Sequence, residues 1–402
     1  MLSVKEAEAI VLNLVTALQE TESISLEGAH KRILARSISG RSDFPYWDNS
    51  AMDGYAVRYE DVKTPTSLEI IEEIPAGKPP EKAVETGQAA RIFTGSVMPD
   101  GADTVVMQEN TLRENDRVSI LTPPENTGQF VRKKGDYYRR GAPLLTPGIA
   151  INPQEMAILA TAQVKTLDVY RRPKVAIFST GDELISPYDS LGPGQIVDSN
   201  QYALRAFVGT VGGIPVPLGI VSDRPAALQA TISAAVNSAD IVLSTGGVSV
   251  GDYDYIEQIL KDLGATIHIN SVAIQPGKPL TVARFPNGCV YFGIPGNPVS
   301  ALVCCWRFVQ PALKKLCGLK DNYSPIFINA KTLDSLHSKG ERELYLWGDL
   351  RTIEGEYHFQ LASGSHNSAN LIHLGGTNAL AVVDAGITLI PAGANVKVML
   401  AL

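Results

Sequence analysis

Cysteine is scarce: four in 402 residues, Cys289, Cys304, Cys305 and Cys317. They form no C-x-x-C pair and stand at no ligand-like spacing from a histidine, so neither a disulfide framework nor a zinc knuckle is expected. Cys304 and Cys305 lie in the apolar run 299–309 and read as buried free thiols, which suits a reducing cytoplasm. The six histidines, His30, His268, His337, His358, His366 and His373, also lack the spacing of zinc ligands. Two nucleophile signatures are missing, the Gly-x-Ser-x-Gly elbow and a Cys/His arrangement. So is the Gly-x-x-x-x-Gly-Lys-[Ser/Thr] phosphate loop. No apolar run reaches 18 residues, so no membrane span is expected. Lys5, Glu6 and Glu8 break up the start of the chain, and no secretory leader is expected there. Basic residues are outnumbered, 35 against 42 acidic, for a net charge of −7. That balance argues against broad nucleic-acid binding, which needs a basic surface.

What remains is a globular composition, 45% hydrophobic and 19% charged, in a chain long enough for two to four domains. Apolar residues recur at Val4, Ala7, Val11, Leu14, Val15 and Leu18, which predicts a helix over 3–20 opened by a Ser3/Glu6 capping box. Residues 23–41 read as a short extended segment and then a helix over 27–35. The stretch 42–141 is rich in Pro, Gly and Thr, with β-like runs at 68–74, 90–94, 104–108 and 117–121, and predicts a small β-rich domain. Together with 142–172, where Pro153 starts a helix over 154–161, residues 23–41 form an expected elongated linker domain. Residues 1–22 and 173–322 alternate strand and helix: strands at 175–179, 214–220 and 241–244, helices at 200–211, 225–237 and 254–263. A hairpin (280–285 and 290–293) turns at Pro286-Asn-Gly288, and a helix over 298–316 closes the unit. Such alternation predicts a doubly wound parallel α/β domain. From 323 to 402, alternating residues and frequent glycine suggest a C-terminal β-barrel.

Six short motifs stand in order along the chain, five of them with glycine beside a polar or charged residue. They are Ser50-Ala-Met-Asp-Gly-Tyr-Ala-Val57, Phe93-Thr-Gly95, Thr180-Gly-Asp-Glu-Leu184, Ser244-Thr-Gly-Gly-Val-Ser-Val-Gly251, Pro276-Gly-Lys-Pro279 and Gly293-Ile-Pro-Gly-Asn-Pro298. Glycine lets a backbone approach a ligand closely, and the ordered set points to a phosphorylated ligand. Loops at the carboxyl ends of parallel strands form the ligand edge of such sheets, and glycines before a helix expose N–H groups to anions. The loops after 175–179 and 241–244 therefore bring Asp182, Glu183, Asp252 and Asp254 to one edge, where carboxylates beside phosphate suit Mg²⁺. Asp223 follows a third strand end and can join them. Helix capping is the alternative for Asp182, Asp252 and Asp223. Lys278, between rigid neighbours, is a point charge for an oxyanion or a solvated surface lysine. Asn297 caps a helix or exposes its loop to ligand, and Asp53 is a functional or a turn carboxylate.

Taken together these residues resemble the MoeA family, the molybdopterin molybdenumtransferases, related to the C-terminal part of gephyrin. The most specific signature is Asn49-Ser-Ala-Met-Asp-Gly-Tyr-Ala-Val-Arg58, followed by Phe93-Thr-Gly95 with Gly101-Ala-Asp-Thr-Val-Val-Met-Gln-Glu109. The resemblance covers essentially the whole chain. It implies four domains, a homodimer with its site between subunits, and Mg²⁺-dependent cleavage of adenylated molybdopterin with insertion of molybdenum from molybdate and release of AMP. By motif position it implies Asp53, Thr94, Glu183, Asp223 and Asp254 as catalytic residues, with Glu183, Asp223 and Asp254 holding the metal. Substrate contacts are implied for Gly181, Asp182, Ser244, Thr245, Gly246 and Gly247. The same holds for Ser249, Gly251, Lys278, Pro295, Gly296 and Pro298, and for Arg132 and Ser368. The molybdopterin adenylyltransferase and apo-molybdoenzymes are further candidate partners.

The chain departs from the family pattern at four positions. Tyr137 stands in Arg132-Lys-Lys-Gly-Asp-Tyr137 where a second acid is expected, with Asp136 a candidate substitute. Ser271 and Gln275 replace two lysines before Pro276, with Arg284 or Arg132 as candidate compensation. Ala369 replaces one of two paired serines. These departures keep open a molybdopterin-binding or scaffold protein with lost or altered insertion, including tungstate preference. Adenylyl transfer is a weaker alternative, since adenylyltransferase relatives resemble only residues 173–322.

Overall fold

The structure is a computed structural model that describes residues 1–247 and 255–401. Its centre is a six-stranded sheet in the order Ile214–Val221, Lys174–Thr180, Ile241–Thr245, Val290–Ile294, Pro279–Arg284, Thr266–Ser271. The first four strands are mutually parallel. The fifth runs antiparallel to its neighbours on both sides, so the sheet is mixed at the hairpin edge. Side chains alternate between two apolar layers, as a sheet covered on both faces requires. Val175, Ile177, Leu243 and Phe292 pack toward the helices Val4–Leu14, Asn200–Val211 and Gln310–Leu316. Ala176, Phe178, Val242 and Tyr291 pack toward Pro225–Ser238 and Ile256–Asp262.

Two expected helices in the first 35 residues differ from those observed. The first spans Val4–Leu14 rather than 3–20, with the Ser3/Glu6 capping box in place. It stops because Val15 turns extended and the Leu18 N–H donates to the Leu316 carbonyl. The helix expected over 27–35 is overturned. Only a 3-10 turn, Leu26–Gly28, forms. Lys31 takes a left-handed φ of 62°, and Ile33 and Leu34 form bridges to Ala150 and Val169. Pairing with the second half of the expected linker overrides local propensity. The same two halves meet where Thr21–Ser25 pairs antiparallel with Thr166–Tyr170.

Within 42–141 the sheet runs Thr104–Met107, Gly54–Val57, Gln88–Ile92, Thr66–Ile74, Arg117–Ile120, Thr111–Glu114. The sequence reading missed Gly54–Val57, a central strand. A Cβ on Gly54 would sit 2.0 Å from the Val106 carbonyl oxygen, so glycine is needed for backbone packing. Five C-terminal strands close a barrel through the pairing of Glu343–Ile353 with Ala379–Val383. Ile274–Gln275 extends that sheet by pairing with Glu343–Leu344. No helix among the described residues is long and apolar enough to cross a membrane.

The helix expected over 298–316 carries a π turn at Cys305–Val309, just before Pro311. Proline has no N–H for the helical ladder, and π turns of this kind often mark functional or strained positions. The turn holds Arg307, whose Nη1 lies 2.8 Å from Glu8 Oε1 with little exposure on either side chain (6% and 18%). Arg307 Nε also donates to the Tyr345 hydroxyl at 3.0 Å, and Tyr345 donates to Glu343. Glu8→Gln leaves the buried guanidinium without its countercharge. Breaking a buried pair costs up to about 3–5 kcal/mol, so calorimetry is expected to show a melting temperature several degrees lower. A variant that melts with the wild type would exclude this contact as a lock.

Candidate active site

Parallel strands end together, so the loops after Thr180, Val221, Thr245 and Ile294 share one edge of the central sheet. Thr180 Oγ1 donates to Asp223 Oδ1, and the Asp223 N–H donates to Asp182 Oδ1 at 3.4 Å. Neither acid is a helix cap. The chain after Asp182 enters the short strand Leu184–Ile185, and the N-cap of Pro225–Ser238 is Arg224. Glu183 is exposed at the same edge, beside the tight turn at Gly181. Asp254, Ser249, Gly251 and Asp252 lie outside the described residues.

Gly246 and Gly247 follow at positive φ. A Cβ on Gly246 would meet the Thr180 carbonyl oxygen at 2.2 Å, so the first constraint on this glycine is the neighbouring loop. Ser244 and Thr245 are buried, and their hydroxyls bond inside the sheet, to the Tyr291 hydroxyl at 2.5 Å and to Ser179 at 3.0 Å. Their side chains are therefore committed within the sheet, where they position the loop. Gly296 lies next to Gly246 and is anchored by Asn200 Nδ2 on its carbonyl at 2.7 Å. Asn297 is the N-cap residue of Pro298–Cys304 but makes no side-chain cap. Its Nδ2 donates to Ser368 Oγ at 3.0 Å, and the Val299 N–H donates to the Ser368 carbonyl. Pro295 and Pro298 bracket this contact, which seats a barrel loop on the sheet edge.

Lys278 immediately precedes an antiparallel strand, Pro279–Arg284, and so comes to the same edge from the opposite direction. Ser271 pairs with Pro279, close by. Arg284, at the far end of that strand, lies at the opposite edge, about 20 Å away at strand rise, and cannot replace the missing lysines. The structure brings another cation, which sequence reasoning missed. Arg342 Nη1 lies 3.4 Å from the Ile274 carbonyl, next to Gln275, and only the strand pairing of Ile274–Gln275 with Glu343–Leu344 reveals it.

A second group forms in the 42–141 sheet. Asp53 Oδ1 accepts from the Thr94 N–H at 2.7 Å and the Thr94 hydroxyl at 2.8 Å. These two bonds, the backbone one first, hold the Asp53 carboxyl below its usual range, and nearby Arg91 adds to the effect. Arg91, also missed by sequence, stacks over Phe93 at 4.7 Å. Arg132 pairs with Asn49 in a two-residue ladder. Asp136 Oδ2 accepts from the Lys133 N–H at 2.9 Å and closes its own turn. Tyr137 is exposed and packs on Phe44. Among the described residues no hydrogen bond or ion pair joins Asp53, Thr94 or Arg132 to the central-sheet edge. One chain therefore carries two separate groups.

Comparison with known proteins decides the family. Family models described as MoeA N-terminal region (domain I and II), probable molybdopterin binding domain, and MoeA C-terminal region (domain IV) match residues 2–162, 176–315 and 329–401. The molybdopterin molybdenumtransferase of Nostoc sp. is 55% identical over 409 residues, covering 99% of this chain and 94% of its own. The chain belongs to the MoeA family. That membership makes it a transferase of molybdenum cofactor biosynthesis. The molybdopterin molybdenumtransferase of Haemophilus influenzae is 34% identical, over 82% of this chain and 81% of its own. A crystal structure of a molybdopterin biosynthesis MoeA protein from Pyrococcus horikoshii superposes with a TM-score of 0.85 at 30% identity, covering 100% of both chains.

The sheet edge carries carboxylate oxygens, the ligand type that Mg²⁺ takes. Asp182, Glu183 and Asp223 offer hard oxygens, and among the described residues none of the three is in an ion pair. The described residues alone do not make a complete three-ligand cluster. Mg²⁺ needs only one or two carboxylates when substrate phosphates supply the rest.

The Thr94 pairing has a measurable sign. A carboxyl lowered in the folded state adds stability that is full above its ordinary value of 3.8 and is lost as pH falls through the folded value. Thr94→Val removes the hydroxyl donor and keeps the N–H. The Asp53 carboxyl, followed by ¹³C NMR, is expected to titrate higher in this variant, still below the ordinary value. An unchanged titration would show that the hydroxyl contributes nothing.

Proposed function

We propose that the chain inserts molybdenum from molybdate into adenylated molybdopterin and releases AMP in a Mg²⁺-dependent step. The observation that carries this reading is the sheet edge, where unpaired carboxylates and the cations Lys278 and Arg342 share one rim, in a chain of this family. Glu183 and Asp223, with Asp254, would hold Mg²⁺, which offsets charge on the adenylate phosphate when bound. Lys278 and Arg342 attract and orient molybdate, the substrate anion. Asp53, held as a carboxylate by the two Thr94 bonds, offers a fixed hydrogen-bond acceptor to the substrate. Asp53 and Thr94 form a group separate from the edge loops, so we infer a homodimer in which the Asp53 group of one copy completes the edge of the other. Four buried free thiols fit a cytoplasmic enzyme.

A scaffold or binding role is the second reading, favoured by the missing cations at Ser271 and Gln275 and by Tyr137 and Ala369. Arg342 weakens that case by supplying one charge. The deciding measurement is AMP release from adenylated molybdopterin with Mg²⁺, with and without molybdate, with tungstate as a parallel arm. Molybdate-dependent release is expected, and tight binding without release would favour the scaffold. Asp53→Asn and Glu183→Gln are each expected to lower the rate by about 100-fold or more while still unfolding in one cooperative transition. Full activity in both would remove the site assignment. Gln275→Lys is expected to tighten molybdate binding, and no change would place residue 275 outside the anion site.

A further inference from the structure

At the opposite edge of the central sheet, away from the candidate active site, lies a cavity of about 40 Å³. On the scale where one water needs roughly 10–15 Å³, it has room for about three waters, or one small tetrahedral ion. Lys31, Arg32, Arg171, Arg172 and Lys314 line it, and no acidic residue does. Its walls come from different parts of the chain: residues 31–33 and 170–172 on one side, the ends of the helices Asn200–Val211 and Gln310–Leu316 on the other.

Two of the five cations are already balanced. Arg171 pairs with Glu20 at 2.9 Å and Asp240 at 2.8 Å. Arg32, only 9% exposed, pairs with Glu22 and donates to the Tyr170 carbonyl at 2.8 Å. Lys31, Arg172 and Lys314 have no acidic partner among the described residues. Two helix C-termini face the cavity and contribute roughly half a negative charge each, which leaves it net positive. Lys314 is half-buried, and desolvation lowers its pKa, as expected for an ammonium taken from water without a countercharge.

We propose that this cavity binds one tetrahedral oxyanion of the phosphate class, held between Lys31, Arg172 and Lys314, and that the anion ties residues 31–33 and 170–172 to the helix ends. The same chemistry can come from a free inorganic dianion or from the phosphate of a nucleotide. The cavity's size favours the free ion. This site is independent of the proposed insertion reaction.

The test is calorimetric titration and thermal melting of the whole protein in chloride buffer of constant ionic strength, with inorganic phosphate, molybdate and AMP as separate probes. Lys314→Gln and Arg172→Gln are compared with the wild type, and Lys278→Gln serves as the control at the other edge. Inorganic phosphate is expected to bind at one site per chain and to raise melting by a few degrees at saturation. That site is expected to weaken at least tenfold in Lys314→Gln and Arg172→Gln and to persist in Lys278→Gln. Tighter AMP than phosphate binding, lost in the same two variants, would assign the nucleotide source. Arg172 is exposed, so its variant reports even if Lys314→Gln folds poorly. Equal binding in wild type and both variants, loss only in Lys278→Gln, or no binding by the wild type would each overturn the proposal.

Discussion

The arrangement of the sheet edge depends on one buried guanidinium. Arg307 reaches back to Glu8 in the first helix and across to Tyr345 in the barrel. Three segments far apart in sequence therefore share one charge. Burial, the largest cause, pushes the Tyr345 hydroxyl well above its usual range, so it stays neutral and bridges Arg307 to Glu343. Glu343 opens the strand that pairs with Ile274–Gln275, and its neighbour is Arg342. The lock thus fixes the register that carries a cation to the root of the Pro276-Gly-Lys-Pro279 loop. A buried ion pair is a weak source of net stability but a strong penalty on alternatives. It specifies where the barrel sits more than how tightly it is held.

Glycine has a different primary role here from the one its motifs suggest. In the signature around Asp53 and in the loop after Thr245, glycine reads in sequence as room for a ligand. In the fold, Gly54 and Gly246 first make room for backbone: the Val106 carbonyl beside one, the Thr180 carbonyl beside the other. Each close contact sits beside a candidate site residue, Asp53 in one case and the Thr180–Asp223 pair in the other. The motif is visible because both requirements fall on adjacent residues.

Periodicity made the α/β region legible. Its strands bury one side chain in two on each face, and its helices present apolar stripes, so local pattern and tertiary role agree. The 27–35 segment failed for the opposite reason: its partners, Ile149–Ala150 and Val169, come from more than a hundred residues away. Gly54–Val57 was missed because a central strand buried on both faces does not alternate. For the site, strand ends predicted which loops share an edge. Arg342 and the Asn297–Ser368 contact were not readable, since both depend on how the barrel docks against the sheet. The Cys304 and Cys305 thiols were readable because burial follows from the apolar run around them; that burial pushes the Cys304 thiol up to about 12.

Under the proposed reaction, charge at the sheet edge sets an order of binding. The chain is acidic overall, and its sheet edge gathers Asp182, Glu183 and Asp223 with no basic partner among the described residues. Under the proposed reaction, a phosphate-bearing substrate approaching that edge meets like charge. Lys278 and Arg342 lie on the side of the hairpin and barrel, away from Asp223. They can favour one anion there, but they cannot neutralise the acids. A divalent cation between carboxylates and phosphate reverses the local sign. Under the proposed reaction, tight binding of the adenylated substrate is therefore conditional on the metal, while molybdate, arriving beside Lys278 and Arg342, is not. Under that reading, the separation of acids from cations along one edge keeps the two anionic substrates from competing for the same charge.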